Sequence, residues 1–107
     1  MTQYKILITD GLDESGLSIL RASADVDDRS GVSADDLIKA IPAYDAIIVR
    51  GRTKVTASVL EAGSRLKVIG RAGVGVDNID LEAAKKHNVT VVNAPMSTSL
   101  AVAELAF

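Results

Sequence analysis

The chain has 107 residues, of which 48% are apolar and 24% charged, and its formal net charge is −2. This length suits one ordinary domain, and the composition is typical of a folded globular protein. No apolar run reaches the roughly 20 residues that a membrane-spanning helix needs, and the lack of cysteine excludes disulfides and thiolate metal sites. Because the first residues also lack the pattern of a signal peptide, we expect a cytoplasmic protein.

The charge pattern and the histidine count narrow the function classes further. The 12 basic and 14 acidic residues are interspersed, and only 3% of the residues are aromatic. Nucleic-acid binders usually concentrate cations on one face and stack aromatic side chains on bases, so nucleic acid is not an expected partner. The one histidine, His87, excludes a multi-histidine metal site and is expected to be a surface or capping residue.

Short apolar runs bounded by Gly, Pro or Asp predict the strands of the fold, because β-branched residues favour extended backbone. The predicted apolar strands are residues 5–9, 45–49, 66–70 and 89–93. A fifth run, residues 24–29, is polar, so we expect it to form an exposed edge strand, while the apolar runs 5–9, 45–49 and 66–70 are expected to be central.

Helix patterns lie between these runs. Residues 13–23 predict a first helix that buries Leu17 and Leu20. Three later helices each follow a residue whose side chain can accept a hydrogen bond from the first turn, namely Ser33, Thr56 and Asp80. The chain closes with a fifth segment, residues 97–107, which also has a helical pattern and is apolar apart from Glu104.

Strict alternation of strands and helices predicts an α/β fold, in which right-handed crossovers place helices on both faces of a parallel sheet. With the polar run at one edge, the pattern fits a flavodoxin-like, doubly wound sheet of five strands in the order 2-1-3-4-5. A C-terminal helical segment follows it. No linker or repeat interrupts residues 1–107, so we expect one domain.

Ligands of open parallel sheets bind beyond the carboxyl ends of the strands, and two loops stand out there. The Arg50 loop, residues 50–54, has three cations and a glycine, and the glycine loop, residues 70–75, has three glycines in six positions. Backbone N–H groups of glycines can turn toward an anion without interference from a Cβ atom. Together the loops predict a carboxylate or phosphate site. The alternative is that the glycines only form a tight turn and the cations are merely solvated.

Three known site patterns do not fit these loops. Gly73-Val74-Gly75 departs from the dinucleotide pattern G-x-G-x-x-G, since Asn78 replaces the last glycine and the following helix starts late. A phospho-acceptor receiver domain needs an aspartate where Arg50 stands, and no phosphate-binding loop ending in Gly-Lys-Ser/Thr is present. The residues therefore predict anion binding without predicting a nucleotide.

Residues 66–84, residues 89–95 and Val102-Ala103-Glu104 closely resemble the D-2-hydroxyacid dehydrogenases. That family has a flavodoxin-like substrate-binding lobe and an inserted Rossmann lobe that holds NAD. The resemblance implies that this chain is the substrate-binding lobe alone, with residues 97–107 as the start of the interlobe helix and with the Rossmann lobe absent. The family's catalytic residues belong to the absent part, so no catalytic residue is expected here and the chain by itself is expected to be inactive.

The resemblance also implies site residues. Arg50 and Gly51 resemble the family's substrate-contacting loop, although Gly51 departs from the serine often found there. Gly73, Val74 and Gly75 resemble the loop whose amides hold the substrate carboxylate, with Val74 also near the nicotinamide of NAD. No bound NAD is expected on this chain alone. The alternative function is a free-standing flavodoxin-like binding or assembly module without catalysis.

Two kinds of partner are expected besides the missing lobe. A small anionic substrate should bind weakly, because no second lobe desolvates it. Residues 97–107 are too apolar to form a stable solvated helix, so we expect a homodimer whose contact includes them. Folding back of this segment into a monomer is the alternative.

Overall fold

The computed structural model describes residues 5–11, 14–22, 24–50, 52–71 and 78–93. In these residues the strands are β1 (Lys5–Ile8), β2 (Asp25–Asp28), β3 (Ala46–Val49), β4 (Val68–Arg71) and β5 (Thr90–Asn93). The α-helices are α1 (Glu14–Arg21), α2 (Ala34–Ala40), α3 (Ala57–Ala62) and α4 (Leu81–Lys86), and a short 3-10 helix covers Ile41–Ala43.

The strands form one parallel sheet in the order β2-β1-β3-β4-β5, which confirms the predicted topology. The register places Ile6 of β1 between Val26 of β2 and Ala46 of β3. The polar strand lies at the sheet edge as predicted, because its aspartates can stay exposed only where one side of the strand has no neighbour.

Alternate side chains of the central strands pack on opposite faces of the sheet. One face carries Leu7, Ile47 and Ile69 against α2, α3 and α4, and the other carries Ile6, Ile8 and Ile48 against Leu20 of α1. All seven side chains are fully buried. Because burial of each such side chain contributes about 1.5–3 kcal/mol, these residues hold the strand ends in fixed positions.

The predicted N-caps are confirmed. The side-chain oxygens of Ser33, Thr56 and Asp80 accept hydrogen bonds from the backbone N–H groups three residues later, at 3.2, 3.4 and 3.0 Å. Helix α4 is followed by Asn88 with a φ of 59°, a left-handed conformation that asparagine tolerates better than most residues. The cap residues therefore fix where the helices begin, beside the ends of the preceding strands.

Three details differ from the predictions or fall outside the description. Helix α1 is shorter than predicted, and Leu17 is only half-buried. The 3-10 helix was not expected; it follows α2 because Pro42 has no N–H with which to continue an α-helix. The helical segment predicted for residues 97–107 lies outside the described residues. Among the helices that the structure describes, none has the length and apolarity to cross a membrane.

Candidate anion-binding site

The carboxyl edge of the sheet, where its parallel strands end, brings together polar residues from three strands. Asp10 follows β1, Arg50 follows β3 and Arg71 ends β4. Of the predicted site residues, Arg50 is described at this edge. The others, Gly51, Gly73, Val74 and Gly75, lie outside the described residues, and their roles stay predictions.

Asp10 is the acceptor on which the Arg50 loop is fixed. Its side chain is only 4% exposed. Its Oδ2 atom accepts hydrogen bonds from the backbone N–H groups of Arg50 at 2.8 Å and Thr53 at 3.0 Å. Its Oδ1 atom accepts from the Thr53 hydroxyl and from Nε of Arg52 at 3.1 Å. The carboxylate thus ties the end of β1 to the loop after β3.

These contacts also settle the ionisation of Asp10. Burial alone raises the pKa of this carboxyl group, because it disfavours the charged form. The hydrogen bonds from Thr53 and Arg50 and the charge of Arg52 outweigh burial, so the pKa of Asp10 lies below its ordinary value of 3.8. Asp10 is therefore an anion at neutral pH, and its charge is balanced inside the protein.

Arg52, one of the three cations of the Arg50 loop, supplies that balancing charge. Its Nη2 atom donates to the carbonyl oxygens of Thr9 and Val32, both at 3.1 Å, while Nε pairs with Asp10. Its side chain is 51% exposed. Arg52 thus links three segments of backbone. Its charge is offset by Asp10 and is not available to a ligand.

Asn78 holds the Arg50 loop from the other side. Its Nδ2 atom donates hydrogen bonds to the carbonyl oxygens of Arg50 at 3.0 Å and Thr53 at 2.7 Å. Its Oδ1 atom accepts from Nε of Arg71 at 2.7 Å. Because Arg71 can only donate, this bond fixes which end of the Asn78 amide faces the two carbonyl groups.

Arg50 itself is held by its backbone while its side chain is exposed. The part of the chain that the structure describes provides no hydrogen bond or ion pair for the Arg50 guanidinium. An arginine side chain presents several N–H donors in a planar fork that matches carboxylate and phosphate groups. The arrangement can therefore bind one anionic group of a ligand at this edge.

Sequence reasoning missed the roles of Asp10 and Asn78. The sequence patterns give Asp10 no role, and Asn78 stands out only as a departure from a dinucleotide pattern. A usable indication existed for Asp10, since it follows the strand predicted to lie beside the one that precedes Arg50. No comparable indication pointed to Asn78, because its partners are backbone carbonyl groups about 25 residues away in sequence.

The described residues contain no group of three or more His, Asp or Glu side chains that could hold a metal ion. They do not fit a dinucleotide either, because a Rossmann site places a glycine-rich turn and a helix N-terminus after its first strand. Here β1 is followed by the buried anion Asp10, which disfavours a pyrophosphate at that position.

The amino edge, where the strands begin, has a second buried aspartate. Asp45 accepts a hydrogen bond from the backbone N–H of Lys5 at 3.0 Å and pairs with Nη2 of Arg65 at 3.4 Å. His87 caps the end of α4 through its backbone N–H and its side chain is exposed. The prediction that His87 is a surface or capping residue is confirmed.

The family model of the D-isomer specific 2-hydroxyacid dehydrogenases, catalytic domain, matches residues 6–107. The chain belongs to this family. It is 49% identical over 103 residues to D-3-phosphoglycerate dehydrogenase of Synechocystis sp., a match that covers 96% of the chain and 19% of that relative. It is 41% identical over 107 residues to hydroxypyruvate reductase of Thermotoga maritima, covering 99% of the chain and 35% of that relative.

A solved structure extends the comparison. The NAD+-bound 3-phosphoglycerate dehydrogenase of Entamoeba histolytica matches with a TM-score of 0.71 and 28% identity, over 86% of this chain and 33% of that one. The resemblance inferred from residues 66–95 is thus confirmed. The chain spans about a fifth of the length of the curated phosphoglycerate dehydrogenase it matches.

Proposed function

We propose that this chain is the substrate-binding lobe of an NAD-dependent D-3-phosphoglycerate dehydrogenase, an enzyme of serine biosynthesis. Two findings support the proposal. A curated enzyme of that name is 49% identical over nearly the whole chain, and the carboxyl edge presents a cation suited to an anionic substrate. The observation that carries it is Arg50, whose backbone is held on both sides while its exposed guanidinium has no ion pair or hydrogen bond among the described residues.

In the proposed reaction a 2-hydroxy acid loses a hydride from C2 and a proton from its hydroxyl group and becomes a 2-oxo acid. The rest of the enzyme would hold NAD, which would supply the hydride acceptor, and a general base outside this chain would take the proton. The contribution of this chain is to bind and orient the substrate. Arg50 contacts an anionic group beside Gly51, and the amides of Gly73, Val74 and Gly75 hold the carboxylate, with Val74 facing the nicotinamide.

A second candidate is reduction of hydroxypyruvate, favoured by the relative of that name in Thermotoga maritima. The two substrates differ in charge, because 3-phosphoglycerate carries a phosphate in addition to its carboxylate. The Arg50 guanidinium would distinguish them, because a phosphate gains more from a bidentate charge-assisted contact than an uncharged hydroxymethyl group does.

The experiment is a nuclear magnetic resonance titration of the isotopically labelled chain with 3-phosphoglycerate and, separately, with D-glycerate. We expect 3-phosphoglycerate to shift the amides of residues 50 and 73–75 with millimolar affinity, about 4 kcal/mol of binding free energy. D-glycerate should bind more weakly. Equal affinities would favour the hydroxypyruvate assignment, whereas no shifts at the carboxyl edge with either ligand would favour a binding or assembly module without catalysis.

We further expect that the purified 107-residue chain does not reduce NAD with 3-phosphoglycerate, because the described residues offer no dinucleotide site. Formation of NADH above a buffer blank would contradict this expectation.

The homodimer through residues 97–107 also stays a proposal. Light scattering over a range of concentrations tests it, and a constant mass near the 11.2 kDa of one chain contradicts it. We also propose a cytoplasmic location, which is consistent with the enzyme family.

A further inference from the structure

A cleft lies between α2 and α3, beside the end of the Arg50 loop, and we call it the α2–α3 cleft. Both helices, the residue Val32 before α2 and residues 52–54 of the loop line it. Its volume is about 290 Å³, close to the lower end of the roughly 300–1,000 Å³ that is typical of small-molecule sites. Arg50 is not among the described residues that line it, so the proposed substrate site does not use this cleft.

The walls of the α2–α3 cleft are apolar. Leu37 of α2 and Val59 of α3 belong to the hydrophobic core, and the half-buried side chains of Val32 and Ile38 pack against that core. These four side chains line the cleft together with Ala34. A hydrocarbon tail that enters the cleft therefore leaves water for a surface continuous with the core. Each methylene group that it buries strengthens binding about fourfold.

The polar side of the cleft has one cation whose charge is not offset. Lys54 lines the cleft and is exposed, and within the described residues it has no ion pair or hydrogen bond. Arg52 also lines the cleft, but Asp10 offsets its charge. The Thr56 oxygen accepts from the backbone N–H of Val59 at 3.4 Å, which leaves the hydroxyl hydrogen available to an acceptor. In the described part of the chain, no acidic side chain lines the cleft.

We propose that the α2–α3 cleft binds a small amphipathic monocarboxylate, whose hydrocarbon tail lies against the apolar walls and whose carboxylate contacts Lys54 and the Thr56 hydroxyl. One carboxylate suits the site, because the lysine ammonium is a single point charge on a flexible stem. The apolar walls disfavour ligands that are polar throughout, since burial would cost those ligands their hydrogen bonds to water. This site is separate from the proposed substrate site, whose cation is Arg50.

The probe is hexanoate, titrated into the isotopically labelled chain while amide and methyl shifts are followed by nuclear magnetic resonance. We expect saturable shifts at Val32, Leu37, Ile38 and Val59. Acetate has the charge without the tail and should bind at least about tenfold more weakly. Hexanol has the tail without the charge and should bind at least about threefold more weakly. Shifts confined to other parts of the chain, or acetate binding as tight as that of hexanoate, would overturn the proposal.

Two charge variants locate the carboxylate. Lys54→Gln and Arg50→Gln each remove one positive charge from the same loop, and both side chains are exposed, so neither change should unfold the chain. We expect Lys54→Gln to weaken hexanoate binding at least about threefold and Arg50→Gln to leave it unchanged. Equal weakening in the two variants, or greater weakening in Arg50→Gln, would place the anion outside the cleft and overturn the proposal.

Two volume variants locate the hydrocarbon tail. Ala34 and Ala57 are both exposed and each directly follows an N-cap, but Ala34 lines the α2–α3 cleft whereas Ala57 lines a cavity between α3 and α4. Ala34→Leu adds volume at the cleft and should weaken hexanoate binding at least about tenfold. Ala57→Leu is the matched control and should bind hexanoate as the wild-type chain does. Equal affinity of the two variants for hexanoate would show that the tail does not enter the cleft and would overturn the proposal.

Discussion

The two edges of the sheet each contain a buried aspartate paired with a half-exposed arginine, but the two aspartates hold different segments of the chain. At the carboxyl edge, Asp10 accepts from the Arg50 loop through four groups, with Nε of Arg52 at 3.1 Å. At the amino edge, Asp45 accepts from one backbone N–H and more loosely from Arg65, at 3.4 Å. The difference lies in what each carboxylate holds: a loop at one edge, and the start of a strand at the other.

The consequence is electrostatic as well as structural. Asp10 is neutralised by Arg52, and among the described residues the exposed Arg50 side chain has no ion pair. At the amino edge the charge of Arg65 is partly offset by Asp45. A half-exposed ion pair contributes little free energy by itself, so the value of the Asp10 contacts lies in fixing the backbone of Arg50. Loss of the aspartate should therefore cost more stability at the carboxyl edge than at the amino edge.

Asp10→Ala should be the most destabilising of these changes, at about 3 kcal/mol, because it leaves the N–H groups of Arg50 and Thr53 and the charge of Arg52 without their acceptor. Asp45→Ala should cost about 1 kcal/mol, since it removes one good hydrogen bond and a loose ion pair. Urea unfolding of both variants measures the difference. Equal losses would remove the distinction between the two edges.

Acidification should lower the stability of the fold through protonation of Asp10. Its folded-state pKa lies below the ordinary value, so its contribution to stability is complete above about pH 4, the pKa of an unfolded aspartate, and is lost as the pH falls through the folded pKa. Asp10→Asn should therefore lose less stability between neutral and strongly acid pH than the wild-type chain. Thermal midpoints across this range check it; parallel curves would contradict the role of Asp10.

Alkaline pH should lower the stability of the fold beside the amino edge, through deprotonation of Tyr44. Burial and the hydrogen bond that its hydroxyl donates to Asp27 raise the pKa of Tyr44 to about 12. Its contribution to stability is therefore present below about pH 10 and is lost as the pH rises from 10 toward 12. The Tyr44→Phe variant should therefore lose less stability over this pH range than the wild-type chain. Absorbance is read in the Tyr4→Phe background, where Tyr44 is the remaining tyrosine, and phenolate formation near pH 10 with unchanged stability would contradict the prediction.

The smallest effects concern helix caps at the carboxyl edge. Ser33→Ala should cost about 1 kcal/mol of stability, because the side chain accepts from the first turn of α2 at 3.2 Å. Thr56→Ala should cost about 0.5 kcal/mol, since the corresponding bond at α3 is 3.4 Å long. Urea midpoints measure both. A larger loss for Thr56→Ala would show that the two caps are not ranked by their hydrogen bonds.

Local patterns in the sequence were enough to predict the strand order and the three helix caps, because apolar runs and capping residues act within a few positions. The same reasoning placed Arg50 at the carboxyl edge. It could not predict that Arg52 pairs with Asp10, or that Asn78 donates to Arg50, because these contacts join residues about 28–42 positions apart. Such contacts depend on the finished packing, which also decides the partner of Tyr44.

The most direct test of a substrate site at the carboxyl edge replaces one arginine at each edge of the sheet by glutamine. The wild-type chain, Arg50→Gln and Arg65→Gln are titrated with 3-phosphoglycerate while amide shifts are followed. Each variant loses one positive charge, so net charge is matched. A substrate site at the carboxyl edge predicts at least about tenfold weaker binding for Arg50→Gln and wild-type affinity for Arg65→Gln. Equal weakening in both variants, or shifts that cluster around Arg65 and His87, would contradict a substrate site at the carboxyl edge.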